Sequence, residues 1–261
     1  MIKAVNKTKS EQMITVAAVA CILLAWFLVT RLDLVPTVLV PSPGKVLRTF
    51  LHLLIDGYKD TPLLAHLMAS LRRLMLAFML ALATAVPLGL LSGFNSKVKA
   101  ALEPFVEFYR PLPPLAYYTL LVLWMGIDDS SKVALLFLAG FAPIFVACVA
   151  AVVKFRRDYV DCALTLGASN RQVFFYVIFP GCLPDIFTGL RTAIGVAYTT
   201  LVAAEMVAAV SGIGWMVLDA SRFLRSDVIF AGILIMGATG VLIDRGLRFL
   251  ENKLIPWKGK F

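Results

Sequence analysis

Residues 161–180, DCALTLGASNRQVFFYVIFP, form a polar interruption between two long apolar runs of the chain. Apolar residues recur at helical spacing in the first half, the small residues that begin at Gly167 permit a tight turn, and residues 173–178 resume an apolar helix. Pro180 closes the segment. A short helix presented beside a turn suits docking into a groove of a partner protein. We therefore predict a helix, a turn and a second helix outside the bilayer, to which another protein binds.

The composition of the chain indicates a membrane protein. Of its 261 residues, 60% are hydrophobic and 16% are charged, with a mean hydropathy of +0.87, whereas about a quarter of the residues in a soluble domain are charged. Because unpaired backbone groups cannot face lipid, the apolar runs predict an all-α integral membrane protein with six spanning helices. The third and sixth runs are close to the lower limit of about 17 residues. The runs are residues 13–30, 74–94, 111–127, 133–153, 192–210 and 228–243.

The placement of charged residues predicts the orientation of the chain. Most of its 25 Lys and Arg residues, among them Lys3 and Lys7, fall on the side of the N-terminus, which places both termini in the cytoplasm of a cell (inner) membrane. An anionic lipid leaflet, rather than nucleic acid, explains the net charge of +9. We predict an N-terminal anchor helix with an outer amphipathic segment in residues 1–65, a transmembrane domain in residues 66–250 and a cytoplasmic tail in residues 251–261.

Two polar features of the apolar runs are candidates for a solute pathway. Glu205 is the single charged residue of its run and shares a helical face with Tyr198; a carboxylate inside a membrane costs roughly 2.5–3.5 kcal/mol on insertion scales. Glu205 can line a pore or gate, or it can be satisfied by a neighbouring helix or by water. Arg110 and Pro111 begin a proline-rich stretch that forbids a regular helix. This favours a water-filled cavity, with a rigid approach to the span as the alternative.

The sequence contains no recognisable catalytic or metal-binding motif. Its four cysteines show no CxxC or Cys/His ligand spacing. No G-x-x-x-x-G-K-[ST] phosphate loop, HExxH or GxSxG occurs. We therefore expect no catalytic residue, no metal site and no cofactor in this chain, so that any nucleotide chemistry belongs to another subunit.

The spacing within residues 161–180 resembles a known pattern. Asp161, Cys162 and Ala163 are followed by three residues, Gly167, nine residues and the sequence VIFP, which ends in Pro180. The inner loop of permeases from binding-protein-dependent ATP-binding-cassette importers has the similar pattern EAA, three residues, Gly, nine residues and I-x-L-P. The glycine, the proline and both spacings match, whereas Asp replaces Glu, Cys replaces Ala, Val replaces Ile and Phe replaces Leu.

Other stretches resemble one branch of these permeases. Residues 70–73, 107–132 and 188–217 are similar to the taurine branch of the sulfonate, nitrate and taurine permease family. The resemblance implies the six-helix transmembrane domain of a type I importer with a cytoplasmic coupling loop. It also implies taurine or a related small sulfonate as the solute, with an alkanesulfonate, nitrate or another small organic anion as alternatives.

The resemblance further implies protein partners. These are a second copy of the chain, two cytoplasmic ATPase subunits that bind ATP and Mg, and an extracytoplasmic solute-binding protein. Residues 161–163, Gly167 and Pro180 would contact the ATPases. A secondary transporter or a channel is the alternative class, but it should show paired intramembrane charges or inverted repeats. The apolar runs carry a single charge, Glu205.

Overall fold

The computed structural model describes residues 9–258, and every regular element in that part of the chain is a helix. A single π-helical turn, Phe174–Ile178, joins the eighth and ninth helices. Lys3, Lys7 and the last three residues of the predicted tail lie outside the described residues. The helices are α1 (Lys9–Arg31), α2 (Pro43–Ile55), α3 (Leu63–Phe94), α4 (Ser96–Tyr109), α5 (Pro114–Met125), α6 (Asp129–Lys154), α7 (Arg157–Thr165), α8 (Asn170–Val173), α9 (Phe179–Ala208), α10 (Ile213–Arg222) and α11 (Ser226–Leu254).

Five helices in the described residues are long and apolar enough to cross a membrane, which confirms the predicted all-α membrane fold. They are α1 from Met13 onward, α3, α6, the continuous run Asn170–Ala208 and α11. The third predicted span is shorter than expected, because α5 has 12 residues where a crossing needs about 17 or more. Pro113 and Pro114 set its start, and Gly126, with φ of +84°, ends it.

Local capping explains where two of the helices begin. The Ser42 hydroxyl accepts a hydrogen bond from the backbone N–H of Lys45 at 3.3 Å, and Pro43 occupies the first helical position of α2. The Asn95 side chain accepts a hydrogen bond from the backbone N–H of Lys97 at 2.9 Å. The chain therefore turns between α3 and α4 at one capping residue.

The described chain divides into two compact units. The first unit contains the described residues up to Ala69, together with Val210–Thr239 and residues 257–258. In this unit α2 and α10 pack against the first half of α11, around a buried apolar core that includes Met216 and Val228.

A charged cluster lies beside α10 in the first unit. Tyr58 donates a hydrogen bond to Oδ2 of Asp219 at 2.8 Å, and Nζ of Lys59 lies 2.6 Å from the same oxygen. Burial opposes ionisation of Asp219, but the hydrogen bonds from Lys59 and Tyr58 and the charge of Lys59 outweigh it and hold the pKa of this carboxyl below its usual range. Burial and the bond to Asp219 raise the pKa of Tyr58 to about 12. The cluster ties the turn after α2 to α10.

The second unit contains Ser70–Ala209 and Gly240–Pro256. In it α6 and α9 approach closely at small residues, since a Cβ added at Gly189 would lie 2.2 Å from the Cβ of Ala147. A Cβ added at Gly89 of α3 would likewise lie 2.6 Å from an α6 side chain. Small residues allow helix backbones to pack tightly in membranes, so these glycines fix how α3, α6 and α9 meet.

Candidate functional site

The polar segment of residues 161–180 begins within α7 and continues through a turn and α8 into the start of α9, as predicted. None of the α7 residues is buried. Asp161 and Cys162 are exposed, and Ala163 is half-buried. The side chains of α7 are therefore accessible to a partner protein.

The turn after α7 is a hydrogen-bonded C-cap that requires a glycine. The N–H of Gly167 bonds to the carbonyl of Leu164 at 2.9 Å, and the N–H of Ala168 bonds to the carbonyl of Ala163 at 3.1 Å, which is the Schellman arrangement. Gly167 has φ of +87°, a left-handed conformation that residues with a Cβ adopt only at a cost. The predicted tight turn is confirmed, and its backbone accounts for the glycine.

Sequence reasoning missed the signal that starts α8. The Ser169 hydroxyl accepts a hydrogen bond from the N–H of Gln172 at 3.4 Å, and the N–H of Ser169 donates to Oε1 of Gln172 at 2.8 Å. The two residues thus form a capping box. Ser followed three residues later by Gln, just before an apolar run, is the sequence signature of this cap. The turn is fixed on both sides, by the C-cap of α7 and by the N-cap of α8.

A π-helical turn connects α8 to α9. The backbone N–H of Phe179 bonds to the carbonyl of Phe174, five residues earlier. Pro180 follows in the first turn of α9. The helical run Asn170–Ala208 continues through this proline. Pro180 therefore accompanies the π turn and does not end a helix.

Some side chains of the polar segment pack inside the second unit, to which the segment belongs, and others are exposed. Val173 and Ile178 are buried, and the ring of Phe174 meets that of Phe94 edge-on at 5.5 Å between centroids. The exposed apolar side chains of α7 and of the polar segment are Tyr159, Leu164, Leu166, Phe175 and Tyr176. Large apolar side chains exposed in a polar region can contact a partner protein or a membrane.

Glu205 lies in a buried ionic cluster near the C-terminal end of α9. The residue is 1% exposed, accepts hydrogen bonds from the Ser70 hydroxyl at 2.7 and 2.9 Å and pairs with Nη1 of Arg73 at 2.8 Å. Arg73 also donates through Nε to Oδ1 of Asp129 at 2.7 Å. The cluster links α3, α6 and α9. The Glu205 carboxylate is thus paired with side chains of a neighbouring helix, and its assignment to a pathway or gate stays a prediction.

Sequence reasoning missed Arg73 as the partner of Glu205. The two residues are 132 positions apart, and the one available signal was an arginine pair immediately before the second apolar run. Tyr198, which was predicted on the same face as Glu205, is half-buried. Its ring lies 3.4 Å from the position of a Cβ added at Gly240 of α11.

A cavity of about 590 Å³ lies beside α5, α6 and α9 in the second unit. Arg110 lines it together with residues of α5, and small residues of α6 and α9 form much of its wall. Among the residues that the structure describes, Pro111, Tyr198 and Glu205 do not contribute to this lining. Of the four predicted pathway residues, Arg110 therefore lies at this cavity and the other three do not line it.

The described residues bear on the expectation that this chain has no metal site, and the state of its cysteines bears on how the polar segment can be probed. Within residues 9–258, no group of three His, Cys, Asp or Glu side chains is arranged to hold a metal ion. Cys148 and Cys182 are buried, whereas Cys21 and Cys162 are exposed. Cys162 thus provides a native chemical probe on α7.

Comparison with known proteins finds relatives that match most of the chain. The family described as binding-protein-dependent transport system inner membrane component matches residues 85–256. The taurine transport system permease protein TauC of Escherichia coli (strain K12) is 42% identical over 248 residues, which cover 95% of this chain and 90% of that protein. The putative aliphatic sulfonates transport permease protein SsuC of Bacillus subtilis (strain 168) is 32% identical over 93% of this chain and 86% of that protein. The nitrate import permease protein NrtB of Synechocystis sp. is 32% identical, with coverages of 85% and 82%.

Proposed function

This chain belongs to the inner-membrane components of binding-protein-dependent transport systems and is a permease subunit of such an importer; we propose that its solute is taurine or a related small sulfonate. The observation that carries this proposal is the similarity of nearly the whole chain to a permease named for taurine transport. Relatives named for aliphatic sulfonates and for nitrate are less similar. An alkanesulfonate is therefore the second candidate, and nitrate or another small organic anion follows it.

We propose that the complete importer contains two copies of this chain, two cytoplasmic ATPase subunits and an extracytoplasmic solute-binding protein. The ATPases bind ATP and Mg, and this chain breaks no bond. Support comes from the exposed apolar side chains of the polar segment and from a sequence without a phosphate loop. Both termini lie in the cytoplasm, on the side of most basic residues. Residues 1–65 provide an anchor and an outer segment, residues 66–250 the transmembrane domain, and residues 251–261 a cytoplasmic tail.

Asp161, Cys162, Ala163, Gly167 and Pro180 form the contact through which the ATPases act. ATP drives transport only if it favours one state of the bundle over another, so the coupling free energy must cross this contact. The capped turn holds α7 in a fixed orientation, and the buried side chains Val173 and Ile178 anchor α8 and the π turn within the second unit. A movement imposed on α7 therefore reaches α9 without a flexible connection.

The solute pathway includes Arg110 and Pro111, and Glu205 and Tyr198 belong to a gate. The position of Arg110 at the cavity supports its assignment to the solute pathway. The buried cluster of Glu205 supports the second assignment, because it connects three helices through a buried ion pair that is costly to break. We propose that this cluster holds its end of the bundle closed.

Uptake by the reconstituted importer tests the assignment of the solute. Proteoliposomes contain the permease with its ATPase and enclosed ATP, and the binding protein is added outside with labelled taurine, ethanesulfonate or nitrate. We expect ATP-dependent accumulation of taurine at a higher initial rate than that of the other two solutes. Accumulation of ethanesulfonate alone would favour the second candidate, and accumulation of nitrate without either sulfonate would refute the proposed solute class.

A further inference from the structure

Helix α2 carries an exposed apolar face beside the face that it buries. Val46 and Leu53 lie in the apolar core of the first unit. Leu47, Leu51 and Leu54 are 60%, 50% and 52% exposed. Because an α-helix has 3.6 residues per turn, these three leucines fall together on one side of α2. A helix whose outer side faced water would carry polar residues at these positions.

Basic side chains form the third face of α2, next to the exposed leucines. Lys45, Arg48 and His52 are exposed, and Arg48 and His52 line a cavity of about 610 Å³ beside the turn after α2. Within residues 9–258, neither Lys45 nor Arg48 has an ion-pair partner. An apolar face flanked by basic residues on one helix is the pattern of a helix that lies in the surface of a membrane.

The contacts of Trp26 place the start of α2 inside the ends of two spanning helices. Nε1 of Trp26 donates a hydrogen bond to the carbonyl of Pro41 at 3.0 Å, and its ring stacks on that of Phe230 at 5.7 Å between centroids. At 1.5 Å per residue, Trp26 lies about 7.5 Å from the end of α1 at Arg31. Phe230 lies about 6 Å from the start of α11 at Ser226. The two helices therefore give the same depth for the start of α2.

A hydrogen bond from Thr49 shows how α2 leaves this depth. The Thr49 hydroxyl donates to Oδ2 of Asp227 at 2.8 Å, in the first turn of α11. Charged residues are costly inside a bilayer, so Arg31 and Asp227 mark the level at which the apolar layer ends. Helix α2 thus begins inside this level and reaches it near its middle. An interfacial helix buries its apolar face to a similar depth of about 5–10 Å.

We propose that the exposed apolar face of α2, formed by Leu47, Leu51 and Leu54, is inserted in the phospholipid surface at the C-terminal end of α1. Arg48 and His52 are turned toward the headgroups and water. With both termini in the cytoplasm, this surface is the outer leaflet. The core that α2 shares with α10 and α11 is thereby attached to the lipid. The inference goes beyond the importer function, because it depends on neither the solute nor the ATPase.

Two adjacent positions of α2 test this placement. Leu51→Cys and His52→Cys are each combined with Cys21→Ser and Cys162→Ser, which remove the exposed native thiols, and are labelled with the fluorophore NBD. The permease with its ATPase is placed in nanodiscs, and quenching by nitroxide-labelled phospholipid is compared with quenching by aqueous iodide. We expect the nitroxide lipid to quench the label at Leu51 about twofold or more than the label at His52, and iodide to show the reverse order. Because both native residues are exposed, exposure alone predicts equal quenching by iodide.

A third position tests the slope of the helix. Leu47→Cys lies on the same face as Leu51→Cys and closer to the start of α2, so a nitroxide on the acyl chain should quench its label more strongly. Strong iodide quenching at both leucine positions would place this face in water and would overturn the proposal. Labels that neither agent quenches would show that protein, such as a second copy of the chain, covers the face, which would equally overturn it.

Discussion

Replacing Gly167 with valine perturbs the turn after α7 through the backbone alone. A Cβ at this position meets no atom within 4 Å, while φ is +87°. A residue with a Cβ pays roughly 1–2 kcal/mol in the left-handed region, and a β-branched residue is a clear outlier there. A penalty of 1–2 kcal/mol corresponds to roughly a 5- to 30-fold change in an equilibrium. The two hydrogen bonds of the C-cap are lost whenever the chain leaves this conformation.

We therefore expect Gly167→Val to weaken binding of the ATPase by roughly 5- to 30-fold and to lower ATP-driven taurine uptake. Affinity is measured by titrating the ATPase onto the permease in nanodiscs, and uptake is measured in proteoliposomes. The melting temperature of the bundle should change little, because no α7 residue is buried. Gly167→Asn is the matched control, since asparagine tolerates the left-handed conformation. Wild-type affinity in the valine variant, or equal losses in both variants, would refute this reasoning.

Three further predictions concern stability, each followed by thermal unfolding in detergent. Glu205→Gln and Arg73→Gln should each lower the free energy of unfolding by about 3–5 kcal/mol, because each removes one partner of a buried ion pair, and the double variant should lose less than the sum. Gly189→Ala should cost about 1–3 kcal/mol, because its Cβ would lie 2.2 Å from that of Ala147. The pKa of Asp219 is lowered in the folded protein, so its stabilising contribution is complete above the unfolded value of about 4 and is lost as the pH falls through the folded value.

Controls separate these effects from general instability. Gly195→Ala adds a Cβ that meets nothing within 4 Å, so its unfolding free energy should stay within about 0.5 kcal/mol of wild type. Additive losses in the Glu205 and Arg73 variants would contradict an energetic pair. Asp219→Asn should lack the acid-dependent part of the stability that this residue supplies. An identical response of Asp219→Asn and wild type to acid would contradict the lowered pKa.

Local signals were sufficient to predict the elements that depend on neighbouring residues. Gly167 and the small residues after it predicted the turn, because a C-cap requires only the conformation of a few adjacent residues. The apolar runs predicted the spanning helices, because a bilayer selects on composition and length. The length of α5 was overestimated, since the apolar run extends past Pro114 and Gly126, which limit the helix.

Contacts between distant parts of the chain could not be predicted. No periodicity connects Arg73 with Glu205, which are 132 positions apart. Lys154 and Asp185 are ordinary charges near helix ends in the sequence, and only the packing of α6 on α9 brings them to the same cavity as Arg110. Such sites depend on which helix faces meet, and a single sequence does not contain that information.

A footprint on Cys162 tests the account most directly. This native cysteine is exposed on α7, and Cys148 and Cys182 are buried; Cys21→Ser removes the other exposed thiol, and a Cys162→Ser variant identifies the label. A membrane-impermeant maleimide is applied to inside-out vesicles that contain the permease alone or with its ATPase subunits. We predict rapid labelling of Cys162 in the permease alone and strong protection when the ATPase is bound. Equal labelling with and without the bound ATPase would contradict the claim that a separate ATPase drives this permease through α7.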